Sequence, residues 1–264
     1  MTEVLLQLDI LWPASLIGLL VLSTHIPFGR EVLQRGIIFL DLAIAQIAAF
    51  GVVMANTVWL DKHGDVSHAY QTLIAIIAAI TGSMALYQLR HLEIKVQEAI
   101  IGILFILAAT GSILLLSADP HGGERLKEIL VGQILWVQIN DVIHLAIAYA
   151  IILALWFKLR TVLGAWILYP LFATTITLST QVVGVYLVFA SLIIPCLATI
   201  KQQSPLLQTF VIGTLGYSSG LLMSALLDLP AGAAIVWCLS LIALVYFLVF
   251  AHWKKNKTSD TPKL

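Results

Sequence analysis

The sequence contains little charge and little cysteine, and each shortage excludes a class of protein. Only 11% of its 264 residues are charged, 60% are apolar, and the mean hydropathy is +1.00. A soluble domain of this size could not bury so much apolar surface. Lys and Arg number 14, as do Asp and Glu, so no net field attracts nucleic acid. The two cysteines, Cys196 and Cys238, lie in apolar stretches, which excludes a disulfide framework and a CxxC metal site.

Several sequence motifs are also absent. The chain has no GxxxxGK[ST] phosphate loop and no HExxH or GxSxG motif, so it encodes none of the nucleotide-binding or hydrolytic sites that these motifs mark. Any energy source for transport therefore lies on another chain or in an ion gradient. Residues 1–9 are acidic, whereas a secretory signal begins with basic residues, so no cleaved leader is expected.

Charged residues divide the chain into apolar runs that are long enough to cross a membrane. Uncharged runs of 20 to 26 residues cover 10–29, 66–89, 99–118, 202–227 and 229–253. Two further runs carry one carboxylate each, Asp41 in 36–60 and Asp141 in 129–157. One crossing takes about 20 residues, so each run predicts one helix. The run 161–200 has twice that length and predicts two.

The positions of Lys and Arg predict the orientation. With the amino terminus outside and an outward turn near 177–181, eleven of the 14 are cytoplasmic, as the positive-inside rule requires: Arg30, Arg35, Arg90, Lys95, Lys158, Arg160, Lys201, Lys254, Lys255, Lys257 and Lys263. We therefore predict an all-α, polytopic bundle of nine helices in the cell membrane. Residues 1–253 form one transmembrane domain, and 254–264 form a short basic cytoplasmic tail. Eight helices is the alternative, if part of 163–200 is re-entrant.

Asp41 is the first candidate for a functional residue. A carboxylate six residues into a crossing costs about 2.5 to 3.5 kcal/mol on insertion scales, so it needs a partner or a function. It either pairs with Arg35, or caps an interrupted helix, or contacts a cation on a translocation path.

Asp141 and His144 are the second candidate. They are three residues apart and share a helix face, where they could bind a divalent metal. The alternative is that Asn140 and Asp141 cap the helix and His144 is interfacial. His25, with Pro27 and Gly29 close behind it, is expected at a helix end.

Five stretches together resemble a known family of permeases. They are 25–51 (HIPFGREVLQRGIIFLDLAIAQIAAFG), 98–105 (EAIIGILF), 132–137 (GQILWV), 182–198 (VVGVYLVFASLIIPCLA) and 228–233 (DLPAGA). Their order and spacing, over about residues 10 to 250, resemble the permease subunit of ATP-binding-cassette (ABC) importers for zinc and manganese.

The resemblance implies several partners for a multi-pass protein of the inner membrane. These are a second copy of the permease, a cytoplasmic ATPase subunit that uses ATP, and an extracytoplasmic metal-binding protein. No cofactor is expected on this chain. The resemblance also implies that the segment 195–207 contacts the ATPase; its residues Pro195, Lys201, Gln202, Gln203 and Pro205 form a turn and a short polar link.

One departure from the family pattern affects the predicted metal contacts. The family usually has Gly-Asp-Ala-Leu-Ser-His, whereas 40–46 here reads LDLAIAQ. If Gln46 takes the place of the histidine, Asp41 is one residue early, and the two lie about 140° apart around a helix. We predict Asp41 and Gln46 as wall residues of a path for zinc or manganese; iron or a non-metal cargo stays open. A gradient-driven carrier or an intramembrane enzyme is the alternative function.

Overall fold

The computed structural model describes residues 2–63, 68–117, 119–202 and 206–259, with side chains for 11–56, 69–117, 119–202 and 206–249. In these ranges the chain forms ten α-helices and no strand. They are α1 (Thr2–Arg35), α2 (Leu40–His63), α3 (His68–Gln88), α4 (Ile94–Leu116), α5 (Gly122–Val131), α6 (Ile139–Leu163), α7 (Ala165–Val183), α8 (Val185–Ala198), α9 (Leu206–Leu227) and α10 (Ala231–Ser259).

Most of these helices are long and apolar enough to cross a bilayer. Seven meet both requirements by length and composition: α1, α3, α4, α6, α7, α9 and α10. The apolar helices at 40–56 and 185–198 are shorter. The predicted all-α, polytopic membrane protein is therefore confirmed, whereas the count of nine crossings and the orientation stay predictions.

Burial separates the inner helices of the bundle from the outer ones. In α7, 67% of the most apolar window is buried within the protein, compared with 22% in α4. Large apolar side chains on α4 such as Leu107 and Leu114 are 62% and 73% exposed. A bundle in lipid directs such side chains outward, because lipid tails are as apolar as leucine. The core therefore lies around α7, with α4 at the periphery.

Hydrogen bonds between the ends of different helices lie at two opposite ends of the bundle. At one end, the Ile38 N–H donates to Glu98 Oε1 at 3.1 Å and thereby joins α2 to α4. At the other end, Thr72 Oγ1 donates to Gln181 Oε1 at 2.9 Å and joins the start of α3 to the end of α7. The Gln133 N–H donates to the Val182 carbonyl at 3.2 Å at that same end. Loops thus lie at the two ends, while the apolar segments lie between them.

The run 161–200 divides at a different residue from the one predicted. We expected the turn near 177–181, but α7 continues through Val183 and breaks at Gly184. The polar stretch does not end the helix because its hydroxyls bond to carbonyls of the same helix. Thr177 Oγ1 donates to the Ala173 carbonyl at 2.8 Å, and Ser179 Oγ donates to the Thr175 carbonyl at 2.7 Å. These bonds satisfy the hydroxyl groups without interrupting the helix.

Two other predicted segments are more helical than expected. The stretch 119–128, which lies between two of the predicted crossings, contains the start of α5. This helix is amphipathic: Leu126, Ile129 and Leu130 are partly buried, whereas the charged Glu124 and Arg125 are exposed. A ten-residue amphipathic helix is too short for a membrane crossing, which is why counting apolar runs missed it. At the carboxyl end, α10 extends to Ser259 and includes the first residues of the predicted tail.

Candidate functional site

Asp41 is a buried carboxylate at the start of α2. It is the second residue of the helix, rather than the sixth of a crossing, because α1 continues to Arg35 and a turn through Gly36 precedes Leu40. The residue is 1% exposed. The N–H groups of Asp41 and Leu42 face the carboxylate, but neither of its oxygens makes a hydrogen bond within the described part of the chain. Within the described residues the carboxylate therefore has no cationic partner, and it lies beside the first N–H groups of α2.

The alternative pairing of Asp41 with Arg35 does not occur in the structure. Arg35 instead bonds to Glu31, one turn earlier on α1, with distances of 2.6 Å from Nη2 and 3.1 Å from Nε to Oε1. Such an i,i+4 pair needs no rearrangement of the backbone. Asp41 is therefore left without the cationic partner that would explain its position structurally.

Gln46 is also buried, with 4% of its surface exposed. Asp41 and Gln46 lie five residues apart on α2, so their side chains leave the helix in different directions. Both can be buried because α2 packs against α3, α4 and α7. The two side chains are therefore enclosed by helices of their own chain, and a path past them needs these helices to move.

Asp141 forms part of a helix cap at the start of α6. Its Oδ2 accepts a hydrogen bond from the Gln138 N–H at 3.0 Å, and together with the Gln138 side chain this makes a capping box. Two of the otherwise free N–H groups at the start of the helix are therefore satisfied. Both Asp141 and His144 are exposed. The structure gives Asp141 a capping role, and a metal contact by the pair stays a prediction.

No preformed multi-ligand metal cluster exists in the ranges for which side chains are described. There, no three His, Cys, Asp or Glu side chains lie close enough together to bind one metal ion. A path that passes an ion onward needs ligands that release it again, so a single charged wall residue is compatible with transport.

The predicted ATPase contact is a short link between α8 and α9. Pro195 lies within α8, which ends three residues later, at Ala198. Lys201 is exposed and Gln202 is partly buried. Gln203 and Pro205 lie outside the described residues. Pro195, predicted as part of the turn, therefore lies about one turn inside α8 instead.

Hydroxyl groups form a buried polar cluster that the sequence did not reveal. The Tyr149 hydroxyl bonds to Ser179 Oγ at 2.5 Å, and the Tyr217 hydroxyl bonds to Ser191 Oγ at 2.7 Å. These pairs join α6 to α7 and α8 to α9. Tyr149 and Ser191 have apolar neighbours in the sequence, whereas Ser179 and Tyr217 each adjoin another hydroxyl residue, and nothing local shows which helix any of the four bonds to.

His25 borders this cluster and disproves one prediction. It lies inside α1, fully buried, and not at a helix end. Its Nδ1 lies 3.2 Å from Thr24 Oγ1, and Thr24 also contacts the Tyr149 hydroxyl. Its Nε2 has no hydrogen-bond partner within the described residues. The expected break fails because α1 continues through Pro27.

The all-α fold, with seven apolar spans in the described part of the chain, is that of a polytopic integral membrane protein. The chain belongs to the ABC 3 transport family, whose model matches residues 7–166 and 158–250. Membership of this family confirms the prediction of a transporter permease rather than an enzyme.

Individual relatives agree with this assignment. The chain is 27% identical to ZnuB, the membrane protein of a high-affinity zinc uptake system of Haemophilus influenzae, over 87% of this chain and 94% of the relative. It is 28% identical to an uncharacterized membrane protein of Cyanophora paradoxa, over 71% of this chain and 70% of the relative. A solved structure, PsaBC from Streptococcus pneumoniae in complex with Fab, has a similar fold, with a TM-score of 0.70, 23% identity, and coverage of 90% and 91% of the two chains.

Proposed function

We propose that this chain forms the membrane path through which an ABC importer takes up a divalent metal ion, zinc or manganese. The observation that carries the proposal is the Asp41 carboxylate, which is buried and has no bonded partner within the described residues. A buried ionisable residue without a charged partner at the start of an apolar helix of a membrane protein is a candidate functional residue. Membership of the ABC 3 transport family supports a role in transport, and the zinc uptake system of one relative supports a metal ion as the cargo.

The proposal includes three partners. A separate cytoplasmic ATPase subunit hydrolyses ATP, because this chain has no phosphate loop. An extracytoplasmic metal-binding protein delivers the ion, and a second copy of the permease completes the assembly. This chain itself binds no resident cofactor.

In the proposed mechanism, the ion contacts Asp41 and Gln46 one after the other as the helices of the bundle move. Asp41 supplies negative charge, and the amide oxygen of Gln46 supplies a neutral ligand of the type that manganese accepts. Both side chains are closed off in this structure, so the ion reaches them only when helices packed on α2 separate. Binding of ATP to the partner subunit provides the free energy for that separation.

Elemental analysis of cells tests the proposal. Cells that carry this chain together with its ATPase and binding protein are expected to accumulate zinc or manganese above cells that carry the ATPase and binding protein alone. The content of each metal is measured by mass spectrometry after growth in limiting metal. Equal metal content in the two cell lines would contradict the proposal, and accumulation that persists without the ATPase would favour a gradient-driven carrier.

A further inference from the structure

The short link after α8 is bound to the carboxyl-terminal half of α10. The Gln202 Nε2 group donates a hydrogen bond to the Tyr246 hydroxyl. The neighbouring Lys201 Nζ lies 5.8 Å from the centroid of the Phe247 ring, within the range of a cation–π interaction. Two successive residues of the link therefore contact two successive residues of α10, 44 and 46 residues further along the chain.

The first residue of the link is fixed to α8 and α9 as well. The Thr199 side chain is 1% exposed, and its Oγ1 lies 3.1 Å from the Pro195 carbonyl and 2.7 Å from Thr209 Oγ1. Thr209 is fully buried in the first turn of α9. The end of α8, the start of α9 and the link thus form one hydrogen-bonded unit, which the Gln202 and Lys201 contacts extend to α10.

From this unit, α10 continues to the opposite end of the bundle. Along the way it packs closely on α9, because a Cβ at Gly220 would lie 2.3 Å from the Ile235 Cα. At its far end, Gly232 packs against the backbone of Val131, which ends α5; a Cβ there would lie 2.6 Å from the Val131 carbonyl oxygen. One continuous helix therefore connects the link to the segment around Gly132.

We propose that Tyr246 and Phe247 are positioning residues that couple the link to α10, so that a movement of the link under the ATPase moves α10 as well. The inference rests on the proposed function, because it takes the link as the surface on which the ATPase acts. Neither residue contacts the ion. Tyr246 acts through Gln202, and Phe247 acts through Lys201.

Coupled transport in reconstituted vesicles tests this role. The permease is reconstituted with its ATPase and binding protein, and metal ions taken up per ATP hydrolysed are measured for wild type, Tyr246→Phe, Gln202→Leu and the double variant. Tyr246→Phe is expected to lower this ratio about fivefold, the equivalent of one lost hydrogen bond. The double variant is expected to match either single variant, because both remove the same contact.

Other readouts separate positioning from a general structural effect. Copurification of the ATPase, the ATPase rate without metal and the melting temperature are expected to stay at wild-type values in Tyr246→Phe. Phe247→Leu keeps an apolar side chain but removes the ring, and it is expected to lower the ratio as well. Tyr186→Phe is the matched control, since Tyr186 is 55% exposed at the other end of α8 and should keep the wild-type ratio.

The outcomes distinguish this inference from the proposed function. If the wild-type complex imports metal with ATP and Tyr246→Phe has the wild-type ratio, the coupling role is wrong and the proposed function stands. Additive losses in the double variant would likewise show that Gln202 and Tyr246 do not act through their contact. If the wild-type complex hydrolyses ATP without moving metal, the proposed function is wrong and the coupling role falls with it.

Discussion

Replacing Asp41 with asparagine is expected to lower ATP-driven metal uptake at least about tenfold, since a contact to a charged group contributes roughly 1.5 to 3 kcal/mol. The variant keeps the shape of the side chain but removes the negative charge that would attract a divalent cation. Uptake is measured as initial rate against metal concentration in vesicles that contain the ATPase and binding protein.

The same substitution is expected to leave the fold at least as stable as wild type. The Asp41 carboxylate has no bonded partner within the described residues, and a buried ionisable group without a partner destabilises a membrane helix. Removing the charge therefore removes the free-energy cost of burying it. Loss of a structural ion pair would instead lower the stability of the fold. An unchanged or higher melting temperature, together with lost uptake, identifies a group that is retained for function.

Asp141→Asn is the matched control for this experiment. The side-chain oxygen of Asn can accept the hydrogen bond from the Gln138 N–H in the capping box as the Asp141 carboxylate does, and Asp141 is exposed at the start of α6. Wild-type uptake is expected for this variant. A large loss of uptake in Asp141→Asn would instead assign a metal contact to the Asp141 and His144 pair, and wild-type uptake by Asp41→Asn would remove Asp41 from the path.

Gly184→Ala is expected to prevent folding. Gly184 joins α7 to α8 with φ +80° and ψ 160°, a conformation that is open essentially only to glycine. A Cβ there would also lie 2.4 Å from the Gly132 nitrogen and from the Val131 carbonyl carbon, which are backbone atoms and cannot rotate away. Backbone strain and steric collision together are expected to lower the free energy of unfolding by more than about 4 kcal/mol. A marginally stable protein does not stay folded after such a loss. The measurement is the yield of monodisperse protein in detergent.

Two other glycines separate strain from collision in this prediction. Gly164 has φ +52° but no heavy atom within 4 Å of a Cβ, so Gly164→Ala should fold and lose roughly 1 to 3 kcal/mol through backbone strain alone. Gly102 has neither problem, and Gly102→Ala is expected to be neutral or to stabilise α4 by up to about 1 kcal/mol. A Gly184→Ala protein as stable as Gly164→Ala would contradict the close backbone contact between 131–132 and 184.

Much of the fold could be predicted from the sequence because membrane crossings leave a strong pattern. Every crossing needs about 20 apolar residues, so the charges at Arg90 and Lys201 fall between α-helices, although α1 continues past Arg30 to Arg35. Short-range geometry is not encoded in this way. The break at Gly184 depends on contact with Gly132, some 50 residues away in the sequence. The polar stretch before it was predicted as a turn because the sequence does not show that its hydroxyls bond to carbonyls of their own helix.

Less of the candidate site could be predicted. The burial of Asp41 follows from its position in an apolar run, because lipid excludes an exposed carboxylate. The absence of a bond to Arg35 was not predicted: Glu31, four residues before Arg35 on the same helix, takes that role. The contact of Gln202 with Tyr246 joins residues whose neighbours carry no motif, so only the packing of α10 beside the link reveals it.

Vesicles that contain purified permease, with and without its ATPase, test the central claim most directly. Zinc and manganese uptake is followed with the binding protein outside and ATP available to the ATPase. The account predicts uptake only in vesicles that contain the ATPase and ATP, and none in vesicles that contain the permease alone. Movement of cargo by the permease alone, without ATP, would contradict it.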